Sequence, residues 1–156
     1  MSQSTTRHIP ILLGPITDFL VEGLVKLPET AAPGVILDCT LGGGGHTSEI
    51  LKKIEAKIPN SPHRVLGIDR DPDAIARAHQ RFAPELAAGK LEVVYSSFSQ
   101  ALKAVGDRPI YGLMADLGIS SDQIDSETRG FSFRYPAPLD MRMNPAVGES
   151  LEEWLS

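Results

Sequence analysis

Four consecutive glycines, Gly42 to Gly45, follow a short apolar run, Val35-Ile36-Leu37, and single carboxylates stand at Asp38, Asp69 and Asp116. Glycines in such a place permit positive φ and let backbone amides approach a ligand with no Cβ in the way. A helix beginning directly behind them aims its N-terminal donors at the same point. A nucleotide-like ligand suits that arrangement, and a flexible surface loop is the alternative. The third glycine of G-x-G-x-x-G would fall at Thr47 or Ser48, so the dinucleotide fingerprint fails. No Gly-Lys-Ser/Thr occurs either, which disfavours a phosphate-binding P-loop.

The elements around these residues follow from hydrophobic periodicity. Val35 to Leu37, bounded by glycine on both sides, reads as a buried strand, and Ile50, Leu51, Ile54 and Ile58 mark one face of the helix after it. Arg64 to Ile68 reads as a second strand ending at Asp69-Arg70-Asp71-Pro72, where Asp71 suits an N-cap and Pro72 a first helical residue. That helix carries Ile75, Ala78 and Phe82. An acid at the end of a second strand, about two dozen residues beyond a glycine loop, is where α/β nucleotide sites bind ribose hydroxyls. Asp69 is therefore a ribose candidate, with a helix-entry carboxylate as the other reading.

Leu91 to Tyr95 reads as a third strand, Ser96 to Phe98 as a turn, and Ala101 to Val105 as a short helix stopped by Gly106. Phe98 is placed either to cover a purine ring or to pack in the core. Ile110 to Ala115 is a fourth strand ending at Asp116-Leu117-Gly118. Upstream, the spacing of Phe19, Leu20, Leu24 and Leu27 predicts a helix from about Thr17 that Pro28 closes. Met1 to Arg7 is polar, and His8 to Leu13 is an apolar stretch broken by Pro10 that packs against the domain. His8 has two readings, a ligand contact or a solvated imidazole. Alternating strands and helices define an α/β fold with a parallel sheet and right-handed crossovers. Ligands of such sheets collect beyond the strands' carboxyl ends, where Asp38, the glycines, Asp69, Phe98 and Asp116 all fall.

The chain is 156 residues long with a net charge of −5, the size of one domain with a real core and no general attraction for phosphate backbones. An RNA substrate would need a local basic patch or a partner. The single cysteine, Cys39, excludes an intramolecular disulfide and reads as a buried structural thiol. No apolar run approaches membrane-spanning length, and no basic segment leads into an apolar core at the start, so a cytoplasmic protein without membrane partners is expected. No histidine and cysteine spacing suggests a metal site.

Four passages resemble the bacterial 16S ribosomal RNA cytosine-N4 methyltransferases, which use S-adenosylmethionine. They are His8-Ile9-Pro10-Ile11-Leu12-Leu13, Asp38-Cys39-Thr40-Leu41-Gly42-Gly43-Gly44-Gly45-His46, Asp69-Arg70-Asp71-Pro72, and Asp116 to Asp125. The last continues into Arg129-Gly130-Phe131-Ser132-Phe133 and Pro138 to Met143. The resemblance implies a Rossmann-like class I methyltransferase core in which Gly44, Gly45, His46, Asp69, Phe98, Asp116 and Gln123 contact S-adenosylmethionine. Of these, His46 and Gln123 rest on the resemblance alone. It also implies a longer protein, about twice this length, with a helical domain inserted after the fourth strand and further strands beyond it. Residues 1–156 are accordingly read as one partial domain truncated after its fourth strand, with 117–150 as a substrate-side loop region and the helical insert absent. Ser150-Leu151-Glu152-Glu153 has the pattern of a capping box, so a helix is expected to start near the end of the chain.

The implied reaction moves a methyl group from a sulfonium to the exocyclic amine of cytosine and is governed mainly by positioning. An acceptor for the amino hydrogens would favour a pyramidal nitrogen in the transition state, and Asp116 is the candidate for that catalytic role. Many amino methyltransferases carry Asp-Pro-Pro-aromatic at this strand end; here Leu117 and Gly118 replace the prolines. Arg129, Arg134 and Arg142 are placed to hold RNA phosphates, with Phe131, Phe133 or Tyr135 stacking on a base, or else to pair with Asp125, Glu127 and Asp140. Two other functions are open to the chain: a cofactor-binding remnant without transfer activity, and a nicotinamide-dependent oxidoreductase, which the failed fingerprint disfavours. The fourth strand, apolar on both faces, is expected to form an open sheet edge through which the chain self-associates.

Overall fold

The computed structural model describes residues 10–156. The readings of residues 1–9, His8 among them, lie outside the described residues. The chain folds as α1 (Leu13–Val25), β1 (Val35–Asp38), α2 (Gly45–Lys57), β2 (Arg64–Asp69), α3 (Pro72–Arg81) and α4 (Ala83–Ala87). There follow β3 (Leu91–Tyr95), a 3-10 turn (Phe98–Gln100), α5 (Ala101–Val105), β4 (Ile110–Met114), α6 (Ser121–Asp125) and α7 (Leu151–Leu155). The strands form one parallel sheet in the order β3-β2-β1-β4. This is the expected α/β fold, with the first strand inside the sheet and the order reversing beside it.

Alternation along the strands assigns residues to two faces, because successive side chains of a strand point to opposite sides. Ile36 and Val65 pack with Leu20, Val21 and Leu24 of α1 and Ile50 and Ile54 of α2. Val35, Leu37, Leu66 and Ile68 pack on the other face with Ala101 and Val105 of α5. A central strand covered on both sides must be apolar throughout, and all four residues of β1 are buried.

Several details depart from the sequence expectations. Helix α1 begins at Leu13, four residues before Thr17, because Pro15 falls in the first turn, where its missing N–H costs no helical bond. Its buried face is Thr17, Leu20, Val21 and Leu24, so Phe19 points outward rather than into the core. On α3 the buried residues are Ala74 and Ala78, while Ile75 is only half-buried. Asp71 caps α3 as expected, its carboxylate accepting the Asp73 N–H, and Pro72 is the first helical residue. The capping box at Ser150 is also present, with reciprocal Ser150 and Glu153 bonds at the start of α7. A second capping box, unforeseen in the sequence reading, starts α6 between Ser120 and Gln123.

Candidate functional site

The carboxyl ends of the four strands open onto one cavity of about 890 Å³, within the range of about 300–1,000 Å³ expected of small-molecule sites. Its walls include Gly45, His46, Asp69, Phe98, Asp116 and Gln123, which are six of the seven residues expected at the cofactor. Gly44 is not on the wall but supports the turn behind it. It sits at φ +71°, and a Cβ there would lie 2.5 Å from the Phe82 ring. Gly42 also has positive φ, so the loop needs glycine for its backbone path. Gly45 is closed off by the Pro10 ring, leaving no room for a side chain.

Hydrogen bonds of the acidic residues fix this loop. Asp69 Oδ2 accepts the Gly42 N–H at 2.7 Å, and Oδ1 accepts the Asp71 N–H at 2.9 Å. Asp69 thus stitches the glycine turn to the entry of α3, and each oxygen keeps a further lone pair for a ligand hydroxyl. The helix-entry role read for Asp69 is present in its bond to the Asp71 N–H. Asp38 lies beneath the loop at 1% exposure, accepting Thr47 Oγ1–H at 2.8 Å and the Thr40 N–H at 3.1 Å. Burial pushes its carboxyl above the ordinary aspartate value, against the opposing pull of those two donors. Asp116 is exposed to the cavity, and its own N–H donates to Thr40 Oγ1 at 2.7 Å, which ties the ends of β1 and β4 together.

His46 is buried in the first turn of α2, with Nε2 3.2 Å from the Ile11 carbonyl oxygen. Phe98 opens the 3-10 turn and is 52% exposed on the cavity wall, so the core-packing alternative does not hold. Cys39 is buried at the cavity floor, and burial raises its thiol above the usual range, with the Asp38 carboxylate acting in the same direction.

A buried ion cluster missed by sequence reasoning holds the outer wall. Asp71, Gln123 and Arg129 are each at most 7% exposed. Gln123 Nε2 donates to Asp71 Oδ2 at 2.8 Å, and Arg129 Nη1 reaches both Asp71 and Asp73. Arg129 Nη2 donates to the carbonyls of Arg142 and Met143. Arg129 is therefore an internal clamp, and the expectation that it meets RNA phosphate is corrected, since both terminal guanidinium nitrogens are engaged inside the protein. Arg134 pairs with Asp125, and Arg142 pairs with Asp140 at 2.6 Å. Phe131 is half-buried beside a second cavity, and Phe133 is fully exposed. Among the described residues no cluster of histidine, cysteine and carboxylate groups has metal-site geometry, and no helix is long and apolar enough to cross a membrane.

An open parallel α/β sheet with a glycine-lined cavity across its carboxyl edge defines a Rossmann-like core. The chain belongs to the MraW methylase family, whose model matches residues 5–156. The ribosomal RNA small subunit methyltransferase H of Alcanivorax borkumensis is 39% identical over 149 residues, covering 96% of this chain and 43% of that protein. The protein of the same name from Kocuria rhizophila is 42% identical over 142 residues, 88% of this chain and 39% of its own length. That of Neisseria gonorrhoeae is 39% identical over 150 residues, 96% and 43% respectively. The chain thus spans less than half the length of these curated relatives.

Proposed function

We propose that this chain is the cofactor-binding part of an S-adenosylmethionine-dependent methyltransferase acting on the N4 amine of a cytosine in small-subunit ribosomal RNA. The observation that carries the reading is the single cavity that brings the glycine turn, Asp69, Phe98 and Asp116 together. The residues fit the group: Asp69 retains acceptor capacity for ribose hydroxyls, Phe98 offers an exposed ring for a purine, and the Gly42–Gly45 turn leaves room for close backbone approach. His46 and Gln123 close the wall, with Gln123 held in place by Asp71. S-adenosylmethionine would supply an electrophilic methyl group in this cavity.

The chain's own contribution is then positional. Asp116 would accept hydrogen bonds from the cytosine amine, turning the nitrogen lone pair out of conjugation and toward an incoming methyl group, and its carboxylate would take up the proton that the nitrogen gives up on methylation and pass it to water. Thr40 Oγ1 accepts the Asp116 N–H and so fixes the backbone at this strand end. In a methyl-incorporation assay on small-subunit RNA at saturating cofactor, Asp116→Ala should lower kcat by roughly 10²-fold or more, beyond any loss of cofactor affinity. Unchanged kcat would remove Asp116 from the mechanism.

A second reading is a cofactor-binding chain that does not itself transfer. Cofactor binding without incorporation into RNA distinguishes it. A ribosomal RNA partner and a cytoplasmic location belong to the first reading.

A further inference from the structure

Beside the cofactor cavity lies a second one of about 540 Å³, which shares Arg70, Ser96 and Met143 with it. Its wall is built from three distant stretches. Tyr95 ends β3 with half its surface exposed, and its hydroxyl accepts from the Asn144 amide. Phe131 adds a second ring. Met141 also lines it, in a left-handed conformation at φ +55° that costs a non-glycine residue energy.

The surrounding bonds hold that strained residue in place. The Met141 N–H donates to the Arg129 carbonyl at 3.0 Å. On its flanks the Asp140 carboxylate receives the Arg142 N–H, Nε and Nη2 at 2.9, 3.0 and 2.6 Å. Asp140 thereby neutralises Arg142. Arg70 is exposed and has no carboxylate partner among the ion pairs of the described residues, so it carries the positive charge at the junction of the two cavities.

We propose that this second cavity is a subsite for an unpaired nucleotide of the RNA substrate, distinct from the base that receives the methyl group. Aromatic faces accept any unstacked base, and an arginine beside them takes its phosphate; together they are the elements of single-strand recognition. A chain of net charge −5 needs a cation outside an ion pair to hold RNA, and Arg70, without a salt bridge among the described residues, is one. The inference deepens the reading of this chain as an RNA methyltransferase and rests on it.

The test is fluorescence anisotropy of a short, cytidine-containing single-stranded oligoribonucleotide with the full 156-residue chain, with S-adenosylmethionine binding measured in parallel. Tyr95→Ala should weaken RNA binding about tenfold or more, and Tyr95→Trp, which keeps a stacking face, should restore it. Arg70→Gln should reduce the slope of log affinity against log salt by about 0.7, the contribution of one phosphate contact on a single strand. Wild-type affinity and slope in both Tyr95→Ala and Arg70→Gln would overturn the proposal, as would equal loss in the alanine and tryptophan variants or no RNA binding by the wild-type chain. The cofactor titration reports separately on the first cavity, so failure of the subsite and failure of the methyltransferase reading are distinguished.

Discussion

At the scale of single residues, the glycine turn and its neighbours divide into positions that tolerate a side chain and positions that do not. Gly44 needs both positive φ and the space that Phe82 occupies, whereas a Cβ on Gly43 would meet its nearest atom, Asp122 Oδ2, at 3.6 Å. Gly44→Ala should therefore cost at least about 2 kcal/mol in urea denaturation, combining left-handed strain with overpacking. Gly43→Ala should stay within about 0.5 kcal/mol of wild type. Equal midpoints for the two variants would contradict this account of the turn.

His63 gives a pH prediction at the same scale. Its Nδ1 accepts the Gly34 N–H at 3.2 Å, its ring packs edge-on against Tyr111, and burial holds its pKa below the ordinary 6.5. The unfolded chain takes up this proton first as pH falls, so the stabilisation is present above pH 6.5 and is lost as pH drops toward the lower folded value. Chemical denaturation at pH 7.5 and pH 5.5 should show a decline that His63→Gln reduces. An identical decline in the variant would assign it to other groups.

At the scale of elements, α6 and the segment after it are held to α3 by charge as well as by packing. Arg77 pairs with Asp122 at 3.2 Å, while Gln123 and Arg129 converge on Asp71. Removing one partner of a buried pair leaves the other charge uncompensated, so Arg129→Met should destabilise by about 3–5 kcal/mol and expose residues 126–143 to proteolysis. Wild-type stability with unchanged cleavage would show that the clamp is dispensable. Arg134→Ala, which removes an exposed pair with Asp125, should change stability by less than about 1 kcal/mol.

The same elements show what was legible in the sequence. Asp71-Pro72 announced the start of α3 because capping is a local interaction, and all four strands were readable from short apolar runs. The Asp71–Arg129 pair was not readable, since it joins residues 58 apart whose approach depends on how a long irregular segment folds back. Phe19 was misplaced because a helical spacing of apolar residues does not reveal which of them faces the sheet when two overlapping stripes exist. Asp69 and Asp116 were found as candidates because strand ends define the ligand rim, but their bonds to Gly42 and through Thr40 are tertiary and left no local signal.

At the scale of the whole molecule, β4 lies at one edge of the sheet, and Ile110 and Leu113 are exposed along it. Unpaired strand edges with apolar side chains template pairing with a second chain. The 156-residue chain is therefore predicted to sediment above its monomer mass at micromolar concentration, and Leu113→Lys to shift it toward monomer. A monomeric wild-type chain would remove self-association from the account.

The central claim is that the described residues alone assemble a competent cofactor cavity. Calorimetric titration of the purified chain with S-adenosylmethionine tests it most directly, with Asp69→Ala as the comparison. One site per chain is expected, lost in Asp69→Ala because that carboxylate lines the cavity and holds Gly42 in place. No binding by the wild-type chain, or undiminished binding by Asp69→Ala, would contradict it.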